Sequence, residues 1–361
     1  MKKILGISLF LLTLVKIQAS EIINLYEAEV PVRSKNLSTA EQINAEQQGL
    51  QDILLKVVGN RNLINRTYLN PILREAPNLV QQFRYSISDK NVPIFHVNFD
   101  HQGVKDLLVQ NNLPIWGENR PALLLWIAIE DNRKRYLLTS NQSSLFIDRL
   151  KEQADMRGIP ITFPLWDLED QKQLTFGDVW GNFTMPIQTA SHRYPATVQI
   201  VGRILRQEGN NWEGRWSLYS IEETQSWSIS GGIDQVLDNG LNKSVDIITS
   251  HLVSGSSTLQ SIVVQVSNVG SFTNYARLSS YFKTLSQVSK VQPIQLSQKN
   301  ARFSLEIHGS ISDLVSAISY GRVLTVDTQK QYDTDTIEVN PNNSTESNIE
   351  KNEVLNYKFI P

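Results

Sequence analysis

The stretch ALLLWIAIE, residues 122–130, decides how the middle of this chain folds. It is apolar at nearly every position, and a strand without polar alternation is typical of the centre of a sheet that is covered on both faces. A helix that ends at Gly158 is predicted over residues 143–158, and IPITFPL, residues 159–165, predicts the next strand. A strand, a helix and a further strand in this order indicate an α/β layer.

Three more strands and a long helix complete this middle module, which we place at residues 116–256. The segments ATVQIVGRILRQ, NWEGRWSLYSI and TQSWSIS predict an antiparallel meander, because each has the length and composition of a strand and turn residues separate them. The sequence from residue 233 to residue 253 predicts a long closing helix.

Smaller modules are predicted on either side of the middle one. Residues 20–115 have the order strand, helix, strand, strand, helix; Ser38 and Glu41 form a capping box for the first helix, and Asp100 caps the second. Residues 257–328 follow the β-α-β-β-α-β order of the ferredoxin-like fold. Residues 329–361, rich in Asn, Asp, Glu and Ser, predict a disordered acidic tail. The predicted fold class is therefore α+β, with three small α/β modules in series.

The N-terminus has the pattern of a secretory signal peptide over residues 1–19. Lys2 and Lys3 precede an apolar run over residues 4–15, and Ala19 is a small residue at a suitable cleavage position. The run is too short to span a bilayer in the mature protein, although a membrane-anchoring helix is the alternative interpretation. Export by this route predicts a periplasmic protein, and the mature sequence has no transmembrane segment.

The composition excludes several kinds of chemistry. The chain has no cysteine, which removes disulfides, thiol catalysis, zinc sites built on cysteine and lipid attachment at cysteine. The 36 acidic residues outnumber the 34 basic ones, and cleavage of the signal peptide removes further lysines. Proteins that bind nucleic acid or anionic lipid normally have the opposite balance, so neither partner is expected.

The motifs LPIWGENRPALLLWIAIE, RGIPITFPLWDLED, DVWGNF and ASHRY follow one another along the chain. In this order they resemble an uncharacterised proteobacterial family, the domain-of-unknown-function family numbered two thousand and sixty-six, which carries no established activity. At the level of fold, the middle module is similar to the N-terminal domain of TolB, and the first module to that of the flagellar T-ring protein. Both relatives are periplasmic and bind other proteins, so the resemblance implies an envelope protein with a protein partner.

Three carboxylates in the segment PLWDLEDQ, residues 164–171, form the most catalytic-looking stretch. We interpret Asp167 as a helix N-cap, with Glu169 and Asp170 in the first turn facing the positive end of the helix dipole. A binding surface and a catalytic site that uses Asp167 or Asp170 are the alternatives. No metal or cofactor motif is present, and a zinc site would have to be assembled from histidines that are remote in the sequence. His96 alternates with strand residues and is expected to be structural or solvated.

The seven tryptophans all lie in the middle module. A core built from large rings is one interpretation, and an aromatic platform for peptidoglycan, another glycan or a protein partner is the other. Trp116 and Trp180 are each followed by glycine in loop-like sequence and are the best candidates for exposure. Arg120 and Arg193 could supply bidentate contacts nearby.

Three functions are compatible with the sequence, and whether the protein is an enzyme stays open. The first is a non-enzymatic envelope-assembly factor that binds proteins, which flat, exposed apolar surfaces would favour. The second is a glycan or small-ligand binder, which a cleft lined by Trp116 or Trp180 would favour. The third is a hydrolase, which two carboxylates about 5–9 Å apart in such a cleft would favour.

Overall fold

The computed structural model describes residues 24–64, 66–220, 224–252, 259–321, 323–327 and 354–360. These residues form three β-sheets with helices packed against them, which confirms the α+β class. The predicted signal peptide lies outside the described residues. Among the described helices, none combines the length and the apolar character that crossing a membrane requires.

The first sheet has three antiparallel strands in the order β1-β3-β2. Its unit contains, in chain order, β1 (Glu27–Pro31), α1 (Thr39–Val58), α2 (Arg66–Leu73), α3 (Ala76–Leu79), β2 (Val80–Ile87), β3 (Pro93–Phe99) and α4 (His101–Gln110). The capping box of Ser38 and Glu41 starts α1, and Asp100 caps α4, so both predictions are confirmed. The helices α2 and α3 were not predicted from the sequence, because they are short and carry prolines.

The second sheet follows the order β5-β4-β7-β8-β9, with β6 also paired to β4. Its elements are β4 (Leu123–Asp131), β5 (Lys134–Leu137), α5 (Leu145–Arg157), β6 (Ile161–Thr162), α6 (Leu168–Gln173), α7 (Phe176–Gly181), α8 (Thr184–Ser191), β7 (Val198–Arg206), β8 (Trp212–Tyr219), β9 (Thr224–Gly231) and α9 (Ile233–Leu252). The apolar residues of β4 are buried on both faces, which confirms the central strand. The strand predicted over residues 159–165 is wrong in length, since only β6 forms there.

The third sheet has the order β11-β12-β10-β14-β13. Its elements are β10 (Leu259–Ser267), α10 (Phe272–Thr284), β11 (Val288–Leu296), β12 (Asn300–His308), α11 (Ile311–Tyr320), β13 (Leu324–Val326) and β14 (Val354–Phe359). The β-α-β-β-α-β order is present, but β14 lies parallel to β10, between β10 and β13. The prediction of a disordered tail over residues 329–361 is therefore wrong for residues 354–359; residues 328–353 lie outside the described part.

The second and third sheets share one hydrophobic core. Leu241 on α9 belongs to the same buried cluster as Phe282 on α10 and Phe303 on β12. The first sheet has its own core around α1, and α6, α7 and α8 cover the other face of the second sheet around Trp126. The module boundary proposed at residue 257 therefore does not separate two hydrophobic cores. The helix α9 before this boundary packs against α11 after it.

Candidate functional site

Residues 116–120, which we call the junction segment, fasten the end of α1 to the second sheet. The backbone N–H of Trp116 donates to the carbonyl oxygen of Val57 at 2.6 Å. Nη2 of Arg120 donates to the carbonyl oxygens of Lys56 at 3.0 Å and of Trp116 at 2.8 Å. The last carbonyl groups of a helix lack partners within the helix and carry partial negative charge, so an arginine there both satisfies and stabilises them.

The junction segment also contacts α10 and α11, the two helices that accompany the third sheet. Nδ2 of Asn119 donates to the carbonyl oxygen of Ala317 at 3.3 Å, and Gly117 passes so close to Thr284 that a Cβ would lie 3.0 Å from its carbonyl oxygen. A depression beside Trp116 at this contact has a free volume of about 10 Å³, which is roughly the room for one water molecule. Ligand pockets usually have volumes of about 300–1,000 Å³, so this depression does not fit a sugar.

Trp116 and Trp180, the two tryptophans that were expected to be exposed, differ in how far their side chains are buried. Trp116 is only 2% exposed, so that expectation is wrong for it. The Arg120 guanidinium lies 3.6 Å from the centroid of the Trp116 ring, and burial lowers the pKa of Arg120. Trp180 is half-buried on α7 and stacks on Phe176 with 5.6 Å between the ring centroids. Ligand binding by these residues stays a prediction, and the contacts described for Trp116 and Arg120 join parts of the chain.

Asp167 is the N-cap of α6, as the sequence predicts. Its side chain accepts hydrogen bonds from the backbone N–H groups of Glu169 at 3.1 Å and Asp170 at 3.2 Å. Arg193, which follows α8, forms a two-point ion pair with Asp167 through Nη1 at 2.6 Å and Nη2 at 2.9 Å. The hydrogen bond from Arg193, aided by those from the backbone, lowers the pKa of Asp167 to about 2.

Asp170 is the buried member of this carboxylate cluster. It accepts hydrogen bonds from the backbone N–H of Trp166 at 2.8 Å, from the hydroxyl of Tyr194 and from Arg193 at 3.2 Å. Burial, together with the bond to Asp170, raises the pKa of Tyr194. Asp167 and Asp170 therefore hold α6 against the residues that follow α8. Arg193, predicted as a ligand contact, has its guanidinium engaged by both carboxylates.

The charge of Asp167 should contribute to stability in a pH-dependent way. Asp167→Asn keeps a capping oxygen but loses the charge that pairs with Arg193. Because the pair is partly exposed, we expect the variant to melt about 2 °C or less below the wild type near pH 7. A carboxyl whose pKa is lowered by folding stabilises the protein above its unfolded-state pKa, about 3.9, and this contribution is lost as the pH falls through the folded-state value.

Thermal melts between about pH 7 and pH 2 check this prediction. The difference between the wild type and the Asn variant should be constant down to about pH 5 and should shrink between about pH 4 and pH 2. A difference that is the same at both ends of the range would show that the ion pair is not its source.

No group of three His, Asp or Glu side chains within the described ranges is arranged to hold a metal ion. The carboxylates at residues 167–170 surround Arg193 instead, and this arginine pairs with all three of them.

The strand β2 presents apolar side chains that its own sheet leaves uncovered. Phe83 pairs with Val97 of β3, and Tyr85 pairs with Phe95, so these side chains share the face against which α1 packs. Val97 and Phe95 are fully buried, whereas Phe83 is 46% exposed and Ile87 is 53% exposed. We call Phe83, Tyr85 and Ile87, together with the outer edge of their strand, the β2 surface. The sequence showed the strand but not which of its apolar residues would be covered.

The other edge strands in the described part of the chain are less open to pairing. β11 contains Lys290 and Pro293 and has two register shifts; β1 is short and ends at Pro31, and β5 and β13 have four and three residues. β9 is long, but its Trp227 and Ile229 pack against the core. Proline, lysine, bulges and short length all oppose strand addition at a sheet edge. β2 has eight residues without proline or lysine, and its one register shift lies at its start.

Comparisons with known proteins reach only the first part of the chain. A family model described as Domain of unknown function (DUF8605) matches residues 19–117, which include the first sheet. This agrees with the expectation of an uncharacterised domain family, but it does not confirm the family number or the likeness to TolB that we inferred from the sequence. Neither the curated proteins nor the solved structures gave a match.

Proposed function

We propose that this chain is an exported, periplasmic protein that binds another envelope protein through the β2 surface. The main support for the proposal is an apolar row, with Phe83 and Ile87 about half exposed, on a sheet edge that contains neither proline nor lysine. A strand that adds to such an edge gains main-chain hydrogen bonds along its length and side-chain pairs with the row.

The partner segment that fits this surface is extended and uncharged, with an apolar side chain at every second position. Those side chains would lie about 5 Å from Phe83, Tyr85 and Ile87 on the same face. The cation of the strand, Arg84, is directed to Glu27 at 3.2 Å. The surface therefore favours an apolar partner over an acidic one.

Export is supported by the signal-peptide pattern over residues 1–19, and the family match begins at residue 19. Glycan binding, the alternative function, has weaker support. Trp116 is buried, and the depression beside it has room for about one water molecule.

Photocrosslinking in the source cells tests the proposed surface. A benzophenone amino acid replaces Ile87 in one strain and Ile294 in a control strain; Ile294 is 54% exposed and lies on the edge strand β11, which contains proline and lysine. We expect a discrete adduct with one envelope protein from position 87 and no such adduct from position 294. The cross-linked segment of that protein, made as a peptide, should bind the wild type and lose its affinity for the Tyr85→Lys variant.

Backbone methylation of the same peptide separates strand addition from other binding modes. Methyl groups on the alternate amides that face β2 remove hydrogen bonds and should abolish binding, whereas methyl groups on the intervening amides should leave it intact. Equal effects of the two methylated peptides, or the same adduct from positions 87 and 294, would contradict the proposal.

A further inference from the structure

On the face of the first sheet opposite α1, one residue from each strand contributes to a chain of polar contacts. Oγ of Ser86 on β2 lies 2.6 Å from Nε2 of His96 on β3. Nδ1 of His96 lies 3.2 Å from Oε1 of Glu29 on β1. The strand register produces this arrangement, because Glu29 lies directly opposite His96 and Ser86 lies diagonally from it. His96 was expected to be structural or solvated, and the sequence holds no motif that links the three residues.

The partners of His96 determine which ring nitrogen carries the proton in the neutral ring. Nδ1 of His96 makes no hydrogen bond, but the Glu29 carboxylate 3.2 Å away favours the tautomer with the proton on Nδ1, because the anion stabilises the positive end of the N–H dipole. Nε2 then has a free lone pair and accepts the hydroxyl proton of Ser86. A histidine that lies beside a carboxylate and accepts the proton of a serine can activate that serine as a nucleophile.

The surroundings leave the serine within reach of solvent. The His96 side chain is 8% exposed and the Glu29 side chain is 67% exposed, while Ser86 is half-buried. Arg84 lies two residues before Ser86 on the same face, about 7 Å along the strand, and its side chain is 64% exposed. The Arg84 guanidinium pairs with Glu27 at 3.2 Å, so that carboxylate already balances most of its charge.

We propose that Ser86 is a nucleophile that takes up acyl groups from activated esters. Oγ of Ser86 attacks the ester carbonyl carbon while its proton passes to Nε2 of His96. The bond between this carbon and the leaving oxygen breaks, and the leaving group takes the proton from Nε2 and departs as an alcohol. Water then attacks the acyl-serine and gives its proton to Nε2, which returns it to Oγ as the carboxylic acid leaves. Glu29 is a positioning residue that acts through His96.

An alkyl fluorophosphonate tests the nucleophile in the purified protein, because Oγ of an activated serine displaces fluoride from phosphorus. We expect mass spectrometry of the digested wild type to find the phosphonyl group on Ser86. His96→Gln should slow the modification about 100-fold or more, because the general base is lost. Glu29→Gln should slow the modification, because the anion beside Nδ1 is lost, and Glu29→Asp should restore most of the rate.

Ser261→Ala is the matched control. Ser261 is also a strand serine, but its Oγ pairs with Oγ of Ser304 at 3.1 Å, so its removal should leave the rate unchanged. The phosphonyl group is located on Ser86 in the wild type alone, so this result holds even if a variant fails to fold. An unmodified Ser86 after exhaustive treatment of the wild type, or equal rates for the wild type and a folded His96→Gln variant, overturns the proposal.

Discussion

Replacing Arg157 with methionine is expected to lower the free energy of unfolding by about 3–5 kcal/mol. Arg157 is the last residue of α5 and is fully buried. Its guanidinium donates to the carbonyl oxygen of Gly59, to the carbonyl and side-chain oxygens of Asn242, and to Oδ1 of Asp246 at 2.7 Å. Methionine fills much of the same volume but leaves these buried acceptors without their donor, and the loss of a donor costs more than the bond itself contributes.

Arg61→Met is the matched control for this prediction. Arg61 binds the other oxygen of the same Asp246 carboxylate at 2.7 Å, but its side chain is 37% exposed. Its replacement should cost less than about 1 kcal/mol. Urea denaturation followed by tryptophan fluorescence measures both variants. An Arg157 variant that is as stable as the Arg61 variant would show that the buried network does not hold α1, α5 and α9 together.

Trp216→Ala is expected to cost a similar amount, about 3–5 kcal/mol. Trp216 is 1% exposed on β8, and its ring lies against Gly202 of β7 and Gly240 of α9. Glycine has no side chain that could move into the cavity, so we expect little collapse and a loss near the upper end of this range. Trp216→Phe retains a large ring and should cost clearly less. Urea denaturation followed by circular dichroism measures the series.

Gly240→Ala is the control that tests the contact between the Trp216 ring and Gly240. Alanine is normally preferred to glycine within a helix by about 1 kcal/mol, but a methyl group at Gly240 would overlap the Trp216 ring. We therefore expect a loss of about 1–3 kcal/mol in the wild type. When Trp216 is already alanine, the overlap is gone and the same substitution should stabilise the protein. If Gly240→Ala lowers the stability of the wild type and of the Trp216→Ala variant equally, the loss comes from a neighbour other than Trp216.

Features that depend on neighbours along the chain could be predicted from the sequence. The capping box of Ser38 and Glu41 and the N-cap at Asp167 are such features, because a helix start is decided within one turn. The central strand β4 was also recognisable, because its apolar residues are consecutive and must be covered on both faces.

Features that depend on remote partners were missed. Trp116 stands in loop-like sequence, and it is buried because the end of α1 and the end of α10 both meet the junction segment. The short apolar segment of β14 becomes a strand only by pairing with β10, which is remote in the sequence. Ser86, His96 and Glu29 are brought together by strand register, and spacing along the chain carries no information about register.

The position of β14 has a consequence for how the protein is made. A ribosome adds residues from the N-terminus, so β13 ends at Val326 and the strand beside it is complete only when Phe359 has been added. At about 5–20 residues per second, the intervening elongation takes roughly 2–7 s. During these seconds the edge of β10 from Val263 to Ser267 has not yet received its partner, and an unpaired edge is prone to associate with other chains. A chaperone that shields a nascent chain would have its greatest effect in this interval.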